Sequence, residues 1–193
     1  MIEISHLGVS KTNTISDIVT AFSVLSIVEI DICFNEDEEI ILCAQDNTCP
    51  EMLRNLLSLT TSMSFIINIK AFGIKNAQKL AKNLFCMVQI YNQHSYKLCS
   101  CNEYCVVELI DMKHIFENTK IEIGVISYGL PLGIFQHLPE TDFIILQYYI
   151  LDEEILEKIK EDKKSIYIWI RNDHETINII KNNLYIDGII YDI

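Results

Sequence analysis

Two acidic residues stand two positions apart in a strongly apolar segment of this 193-residue chain, Glu29 and Asp31 in the sequence VEIDIC. Val28, Ile30 and Ile32 alternate with them, and this period of two predicts a β-strand with two different faces. If the apolar face packs on helices, both carboxylates point to the opposite side. Burying unpaired carboxylates is costly, and a divalent cation with oxygen ligands, Mg²⁺ or Ca²⁺, removes that cost.

The segment SFIINIKAFG repeats the same arrangement further along the chain. Ile67 and Ile69 face one way, and Asn68 and Lys70 face the other. Asn68 offers a neutral oxygen ligand, and Lys70 offers a positive charge that could hold a phosphate or balance the acids. A buried ion pair between the acids and Lys70, with no metal, is the structural alternative.

His6 lies at the end of the first apolar run, in the sequence SHLG. An enzyme built on a barrel keeps its general acid or base at such a strand end. A histidine that is merely hydrogen-bonded at the rim is the alternative. Aromatic residues also stand at strand ends, namely Tyr148, Tyr149, Tyr167 and Trp169; packing in the core or at the rim is the simpler interpretation, and contact with a head group is the other.

These side chains need a scaffold, and the hydrophobic pattern predicts eight strands separated mostly by helical segments. That alternation indicates a parallel α/β fold, either a closed (β/α)8 TIM-type barrel or an open doubly wound sheet. Eight strands and the absence of a glycine-rich nucleotide-binding turn favour the barrel, although the chain is shorter than the roughly 200–400 residues usual for it. The predicted strands are Ile2–Leu7, Val28–Phe34, Phe65–Ala71, Tyr96–Cys101, Ile121–Ser127, Phe143–Tyr148, Ser165–Arg171 and Ile186–Tyr191, with Glu39–Ala44 as a hairpin extension.

The length of the chain predicts a compact single domain over residues 1–193. Only GLPLGIFQHLPET separates two of the strands, so at least one crossover helix is expected to be reduced. Asn76 and Asp152 are predicted helix N-caps. The predicted helices are Ile15–Leu25, Glu51–Leu59, Asn76–Tyr91, Tyr104–Ile110, Asp152–Lys160 and His174–Asn182.

The charge balance limits the partners. Fifteen basic and 27 acidic residues give a net charge of −12, which opposes binding to nucleic acid or to an anionic membrane. It is compatible with a small substrate or a divalent cation. No apolar run reaches the roughly 18 residues of a transmembrane helix, and the N-terminus lacks signal-peptide features. A cytoplasmic protein is expected, and its oligomeric state is left open.

The chain has seven cysteines, which are expected to be reduced thiols in the absence of a secretion signal. Cys99, Cys101 and Cys105 have a spacing that could bind a soft metal, but no second C-x-x-C pair accompanies them. Packing as small core residues is the favoured interpretation.

The order of several short motifs resembles the glycerophosphodiester phosphodiesterase family, a TIM barrel similar to that of the phosphatidylinositol phospholipases. HLG, Asn13-Thr14, VEIDICFNEDEEIILCAQDNT, INIK and IYIWIRNDHETINIIKNNLYIDGIIYDI follow the family order H-R-G, E-N-T, E-x-D with a later H-D, E-x-K, W-T-x-N and G-[VI]-D-G-I-I-T-D. The last block is the most specific, since Trp169, Asn172, Asp187, Gly188 and Asp192 all match. The resemblance implies a site at the carboxyl-terminal mouth of the barrel.

The resemblance assigns roles to five residues. His6 matches the first catalytic histidine, and Glu29 and Asp31 match the first two metal-binding acids. Lys70 matches the lysine that follows the third major strand, and Trp169 matches an aromatic wall of the substrate pocket.

Three positions depart from the family pattern. Leu7 stands where the family has a phosphate-binding arginine, Gln45 where it has a second catalytic histidine, and Asn68 where it has a third metal-binding glutamate. Loss of a positioned proton-transfer group costs about 10²–10⁴ in rate. Loss of the arginine removes a bidentate clamp, and loss of one carboxylate weakens the ion site.

The three departures together predict a degenerate family member. Its cavity is expected to bind a phosphodiester or another small polar ligand, with a divalent cation that is weakly bound or absent, and with little or no hydrolysis. An active metal-dependent phosphodiesterase acting on glycerophosphodiesters or a related lipid head group is the first alternative. A non-catalytic scaffold subunit is the second.

Overall fold

The computed structural model describes residues 1–8, 12–43, 50–116, 120–129, 140–170 and 174–192. Within them, eight parallel strands form a closed barrel, and a ninth short strand, β3, pairs antiparallel to one of the eight. The strands are β1 Ile2–His6, β2 Ile27–Phe34, β3 Ile40–Leu42, β4 Ser64–Ile69, β5 Ser95–Ser100, β6 Ile121–Ser127, β7 Phe143–Gln147, β8 Ser165–Trp169 and β9 Gly188–Tyr191.

The barrel closes through β1, which lies between the second and the last strand. Ile4 is in register with Ile27 of β2 on one side and with Ile190 of β9 on the other. Each remaining barrel strand pairs in parallel with the next one along the chain. The predicted (β/α)8 TIM-type barrel is therefore confirmed, and all eight predicted strands are present with ends within two residues of the prediction.

Six α-helices lie in the described part of the chain. They are α1 Ile15–Phe22, α2 Leu53–Leu57, α3 Ile74–Ile90, α4 Glu103–Ile115, α5 Glu153–Glu161 and α6 His174–Lys181. The prediction of a reduced crossover helix is confirmed by α2, which has five residues and connects β3 to β4. The connection for which the sequence predicted it, between β6 and β7, falls largely on residues outside the described ranges.

One of the two predicted helix caps is confirmed and the other is wrong. Asp152 caps α5, because its side chain accepts hydrogen bonds from the backbone N–H of Glu154 at 3.0 Å and of Ile155 at 3.3 Å. Asn76 lies inside the first turn of α3. Gly73, with a φ of 74°, is the N-cap residue instead, so the helix begins at Ile74, before Asn76.

The strands carry two separate apolar layers. Val28, Ile30 and Ile32 are completely buried against the surrounding helices, as the alternation in β2 predicted. A smaller cluster fills the barrel interior and contains Ile4, Ile66, Cys99, Ile126, Phe143, Ile145, Tyr167 and Ile190. The polar faces of β2 and β4 point to the same interior, above this cluster. No described helix is long and apolar enough to cross a membrane.

Two glycines make room for two aromatic rings inside the barrel. Gly124 of β6 is in register with Phe143 of β7, and Tyr167 of β8 is in register with Gly188 of β9. A Cβ on Gly124 would overlap the ring of Phe143, and one on Gly188 would contact the ring of Tyr167. At two places in the interior a glycine thus lies beside a large ring, which lets both rings fit inside the barrel.

This packing predicts that Gly124→Ala destabilises the protein by about 1–3 kcal/mol, because the added methyl group must displace the buried ring of Phe143. Gly129→Ala is the matched control, since nothing lies within 4 Å of a Cβ at that position. Urea unfolding followed by circular dichroism measures both changes. Equal stabilities for the two variants would contradict the packing argument.

Candidate active site

A cavity of ≈ 260 Å³ opens at the carboxyl-terminal mouth of the barrel. Six of the eight site residues predicted from the sequence line it. The lining comprises His6, Glu29, Asp31, Asn68, Lys70, Tyr128, Gln147 and Trp169 as polar or amphipathic groups, together with Ile126, Ile145, Leu146 and Ile190.

Strand register explains why residues distant in sequence meet here. His6 is opposite Glu29 in the β1–β2 pair, and Asp31 is opposite Asn68 in the β2–β4 pair. Because neighbouring parallel strands end at the same side of the barrel, these residues point together into its interior. Lys70 follows β4 and turns toward Asp31, with its Nζ atom 3.3 Å from Oδ1.

The two acids have different surroundings. Asp31 Oδ1 accepts a hydrogen bond from Asn68 Nδ2 at 2.7 Å and pairs with Lys70. Glu29 is only 4% exposed, and its Oε2 atom has no hydrogen-bond partner in the described structure. Asn68 Oδ1 is likewise buried without a partner. Among the described residues, these two buried oxygen acceptors of the cavity have no donor, and burying an acceptor without a donor costs free energy.

Burial raises the pKa of Glu29 well above its usual value of 4.5, and the neighbouring charge of Asp31 raises it further. Lys70 and the amide of Asn68 act in the opposite direction without outweighing burial. For Lys70 the balance is reversed. Burial by itself would lower its pKa, but the negative charges around it, that of Asp31 foremost, raise the pKa above its ordinary value. The ammonium group therefore stays charged.

His6 is oriented by a residue from the opposite end of the chain. Its Nδ1 atom lies 2.9 Å from Oδ1 of Asp192, and its ring meets that of Trp169 edge-on with centroids 5.6 Å apart. Because a carboxylate only accepts hydrogen bonds, Nδ1 carries the proton in this pair. Nε2 then faces the cavity, 3.8 Å from Oε2 of Glu29. This is the geometry of a histidine that exchanges a proton at Nε2.

Asp192 was not among the predicted site residues, although it belongs to the carboxyl-terminal block of the resemblance. Ser5 and Tyr191 are in register between β1 and β9, and this pairing brings Asp192 beside His6. A sequence pattern alone could not indicate the contact, because it depends on closure of the barrel between residues that are 186 positions apart.

Leu7 does not enter the cavity. Its side chain is completely buried, and its backbone adopts the left-handed conformation with a φ of 56°, which is uncommon for a residue with a side chain. The N–H of Leu7 donates to the carbonyl of Glu29 at 2.9 Å, so the strained turn fixes the end of β1 against β2. The position predicted to correspond to a phosphate-binding arginine is thus occupied by a core side chain.

Asn13 is a further residue that sequence reasoning did not place at the site. It is buried, and its Nδ2 atom donates to the carbonyl oxygens of Asp31 at 2.7 Å and Cys43 at 3.0 Å. It thereby joins Asp31 of β2 to Cys43, the residue that follows β3. Its only signal in the sequence was the Asn13-Thr14 pair, whose threonine caps α1.

Two positions that the resemblance singled out, Gln45 and Asn172, lie outside the described residues. Cys99 and Cys105 are buried while Cys101 is exposed. Within the described ranges, no group of three or more His, Cys, Asp or Glu side chains is arranged to hold a metal. Any ion at the mouth would therefore depend on the amide of Asn68 besides the two acids.

Structural comparison gives a consistent result over nearly the whole chain. An Oleispira antarctica phosphodiesterase, solved with its product sn-glycerol-3-phosphate, is similar with a TM-score of 0.83 at 14% identity, covering 100% of this chain and 93% of that chain. A glycerophosphodiester phosphodiesterase of Parabacteroides distasonis gives 0.77 at 16%, covering 99% and 92%. One of Agrobacterium tumefaciens gives 0.69 at 13%, covering 100% and 96%.

The sequence matches no protein-family model and no curated protein. At such low identities, the similarity to solved structures establishes the barrel fold and its order of elements. This chain therefore has the fold of the glycerophosphodiester phosphodiesterases.

The raised pKa of Glu29 predicts an unusual effect of pH on stability. The folded state favours the protonated carboxyl, so protonation of Glu29 contributes to the free energy of unfolding. This contribution is fully present below the unfolded-state pKa of about 4.5, and it is lost as the pH rises through the higher folded-state pKa. In EDTA at pH 8, Glu29→Gln is therefore expected to melt at a higher temperature than the wild type, and the difference should shrink toward pH 4.5.

The exposed Glu157→Gln on α5 is the matched control, for which no such pH-dependent gain is expected. Melting is followed by circular dichroism across the pH range. A wild-type protein that is more stable than Glu29→Gln at pH 8 in EDTA would show that Glu29 is already compensated within the protein.

Proposed function

We propose that this chain is a member of the glycerophosphodiester phosphodiesterase family whose cavity binds a divalent cation and a phosphodiester, with weak hydrolysis or none. The observation that carries the proposal is the convergence of two acids, an amide, a lysine and a carboxylate-bound histidine in one cavity at the barrel mouth. This is the set of groups that phosphodiester recognition requires, since metal and lysine neutralise the anion and the histidine moves a proton.

The residues present fit a hard divalent cation. Among the described residues, Glu29 Oε2 and Asn68 Oδ1 are buried oxygen acceptors without a donor. Asp31 adds a second carboxylate, which contacts both Asn68 and Lys70. Mg²⁺ and Ca²⁺ bind oxygen ligands of these types. Such an ion would supply charge neutralisation to the bound phosphodiester. Asn68 contributes no charge, so we infer an affinity below that of a site with three carboxylates.

Binding of an anion in the cavity would depend on Lys70, the one lysine or arginine among the described residues that line it. The sequence has Leu7 where the resemblance has arginine, and that side chain is buried away from the cavity. A single ammonium group holds a phosphate as a point charge, whereas a guanidinium grips two oxygens in a fixed plane. Trp169 and Tyr128 provide flat walls for the organic part of the ligand. Binding with loose positioning of the phosphorus atom is the expected result.

Hydrolysis requires a proton for the leaving alcohol and a group that activates the attacking oxygen. His6, held by Asp192, supplies one of these functions through Nε2. Among the described residues, no other histidine lines the cavity. With one of the two proton-transfer roles unfilled, the rate is expected to fall by about 10²–10⁴.

A working phosphodiesterase is the second candidate, and the His6–Asp192 pair favours it. A decayed site has no need to keep a histidine oriented with Nε2 facing the acids. In this case a group other than histidine would share the proton transfer.

Binding is tested by thermal shift. Mg²⁺ or Ca²⁺ at about 100 times its Kd is expected to stabilise the protein by about 2.7 kcal/mol, and sn-glycerol-3-phosphate to add a further shift when the ion is present. Asn68→Glu restores a third carboxylate and should lower the Kd for the ion by tenfold or more, about 1.4 kcal/mol. Asn83→Glu on α3, outside the cavity, is the matched control.

If neither ion nor phosphate ester shifts melting, and Glu29→Ala is as stable as the wild type, the mouth does not bind such ligands and a scaffold role becomes the better interpretation.

Hydrolysis is tested by release of sn-glycerol-3-phosphate from glycerophosphocholine with Mg²⁺ or Ca²⁺. We expect turnover to be undetectable, or about 10²–10⁴-fold below that of a phosphodiesterase with both proton-transfer groups. Any activity should disappear in His6→Ala and fall in Asp192→Asn, in which the histidine loses its charged partner. Activity that survives His6→Ala would rule out His6 as the proton-transfer residue.

A further inference from the structure

Five exposed aromatic side chains follow four consecutive strands of the barrel, and we refer to them as the aromatic rim. The side chain after β4 is 89% exposed, and those after β5, β6 and β7 are 41–62% exposed. Since each follows the carboxyl end of its strand, all lie on the face of the barrel into which the cavity opens. The aromatic rim consists of Phe72, Tyr104, Tyr128, Tyr148 and Tyr149.

The distribution of aromatic residues differs between the two ends of the barrel. Only one other aromatic side chain among the described residues is exposed, Phe116, which follows α4 and lies at the amino-terminal end. Exposed aliphatic residues lie at both ends: Val24, Ile90 and Leu184 near the opposite end, and Ile74 at the start of α3 beside the rim. The mouth therefore carries aromatic side chains with apolar ring faces, and four of the five end in a polar hydroxyl group. Tyrosines of this kind are enriched where proteins meet the head-group layer of a bilayer.

The rim is tied together and joins the cavity. The hydroxyl of Tyr149 donates to the backbone carbonyl of Tyr128 at 2.7 Å, and the rings of Tyr148 and Tyr149 meet edge-on with centroids 5.7 Å apart. Tyr128 itself lines the cavity. A surface that contacts the rim therefore lies directly over the groups proposed to bind a phosphodiester.

The charged residues beside the rim indicate which kind of lipid surface it could contact. Glu103 precedes Tyr104, and Asp152, Glu153 and Glu154 follow Tyr149 at the start of α5; all are exposed. In the described segments that directly follow β4 to β7, Lys75 is the one exposed basic residue. These acids repel anionic lipid, whereas the outermost group of a phosphocholine layer is a quaternary ammonium cation, which both carboxylates and tyrosine faces attract.

We propose that the aromatic rim docks the mouth of the barrel on a zwitterionic phosphocholine bilayer, so that the cavity meets phosphodiesters within the head-group layer. The docking itself goes beyond the function proposed above and does not require it. Only the delivery of a membrane phosphodiester to the cavity rests on that function. Shallow insertion of Phe72 and contact of the tyrosines with the head groups are the interactions that drive it.

Co-sedimentation of the full chain with phosphatidylcholine vesicles tests the docking. Phe72→Ala and Tyr149→Ala are each expected to lower the partition coefficient by roughly fivefold to tenfold, because each removes one large side chain from the lipid contact. Phe116→Ala is the matched control at the other end of the barrel and should leave partitioning unchanged. Replacing part of the lipid by phosphatidylserine should weaken binding, and EDTA should not.

Three results would overturn the inference: no binding of the wild type to phosphatidylcholine vesicles, an equal loss in Phe116→Ala, or stronger binding as phosphatidylserine is added. Sedimentation equilibrium without lipid gives a fourth, since a dimer that is lost in Phe72→Ala would assign the rim to a second copy of the chain. Vesicle binding with no thermal shift by sn-glycerol-3-phosphate would retain the docking and reject the ligand function.

Discussion

The barrel mouth is organised around two carboxylates that β2 carries into the interior. Glu29 is almost completely buried, and Asp31 lies two residues further along the same face. Their mutual repulsion and their loss of water must be compensated. Asn68 and Lys70 do this for Asp31, whereas for Glu29 their effect does not outweigh burial. The remaining imbalance at Glu29 is the reason for proposing a cation at this mouth.

Closure of the barrel orients His6, the candidate proton-transfer group of the cavity. The first and last strands pair, so that Asp192 reaches His6 and leaves Nε2 toward the acids. The turn after His6 is strained at Leu7 and is held by backbone hydrogen bonds to Glu29 and Asn13. Rigid support of this kind is what positions a proton-transfer group, the role proposed above for His6.

The same mouth combines a polar cavity with an aromatic margin. Inside, the charge of Asp31 is compensated by contacts with Asn68 and Lys70 at distances of 2.7–3.3 Å. At the margin, five exposed rings and a group of acids face outward. Both features follow from one property of parallel barrels, namely that all strands end on the same face and their loops and helix starts share it.

The sequence by itself determined the strands, favoured the barrel over an open sheet, and identified most of the polar side chains that line the cavity. Period-two alternation in VEIDIC and IINIK decides which side chains point inward once the outward face is apolar. Alternation is a local property, so Glu29, Asp31, Asn68 and Lys70 could be identified without coordinates. The tertiary structure decided what is not local. Pairing of the chain ends brought Asp192 to His6, the left-handed turn sent Leu7 into the core, and Gly73 moved the start of α3 ahead of Asn76. Each of these depends on backbone conformation or on contacts between distant residues, which a periodic pattern does not encode.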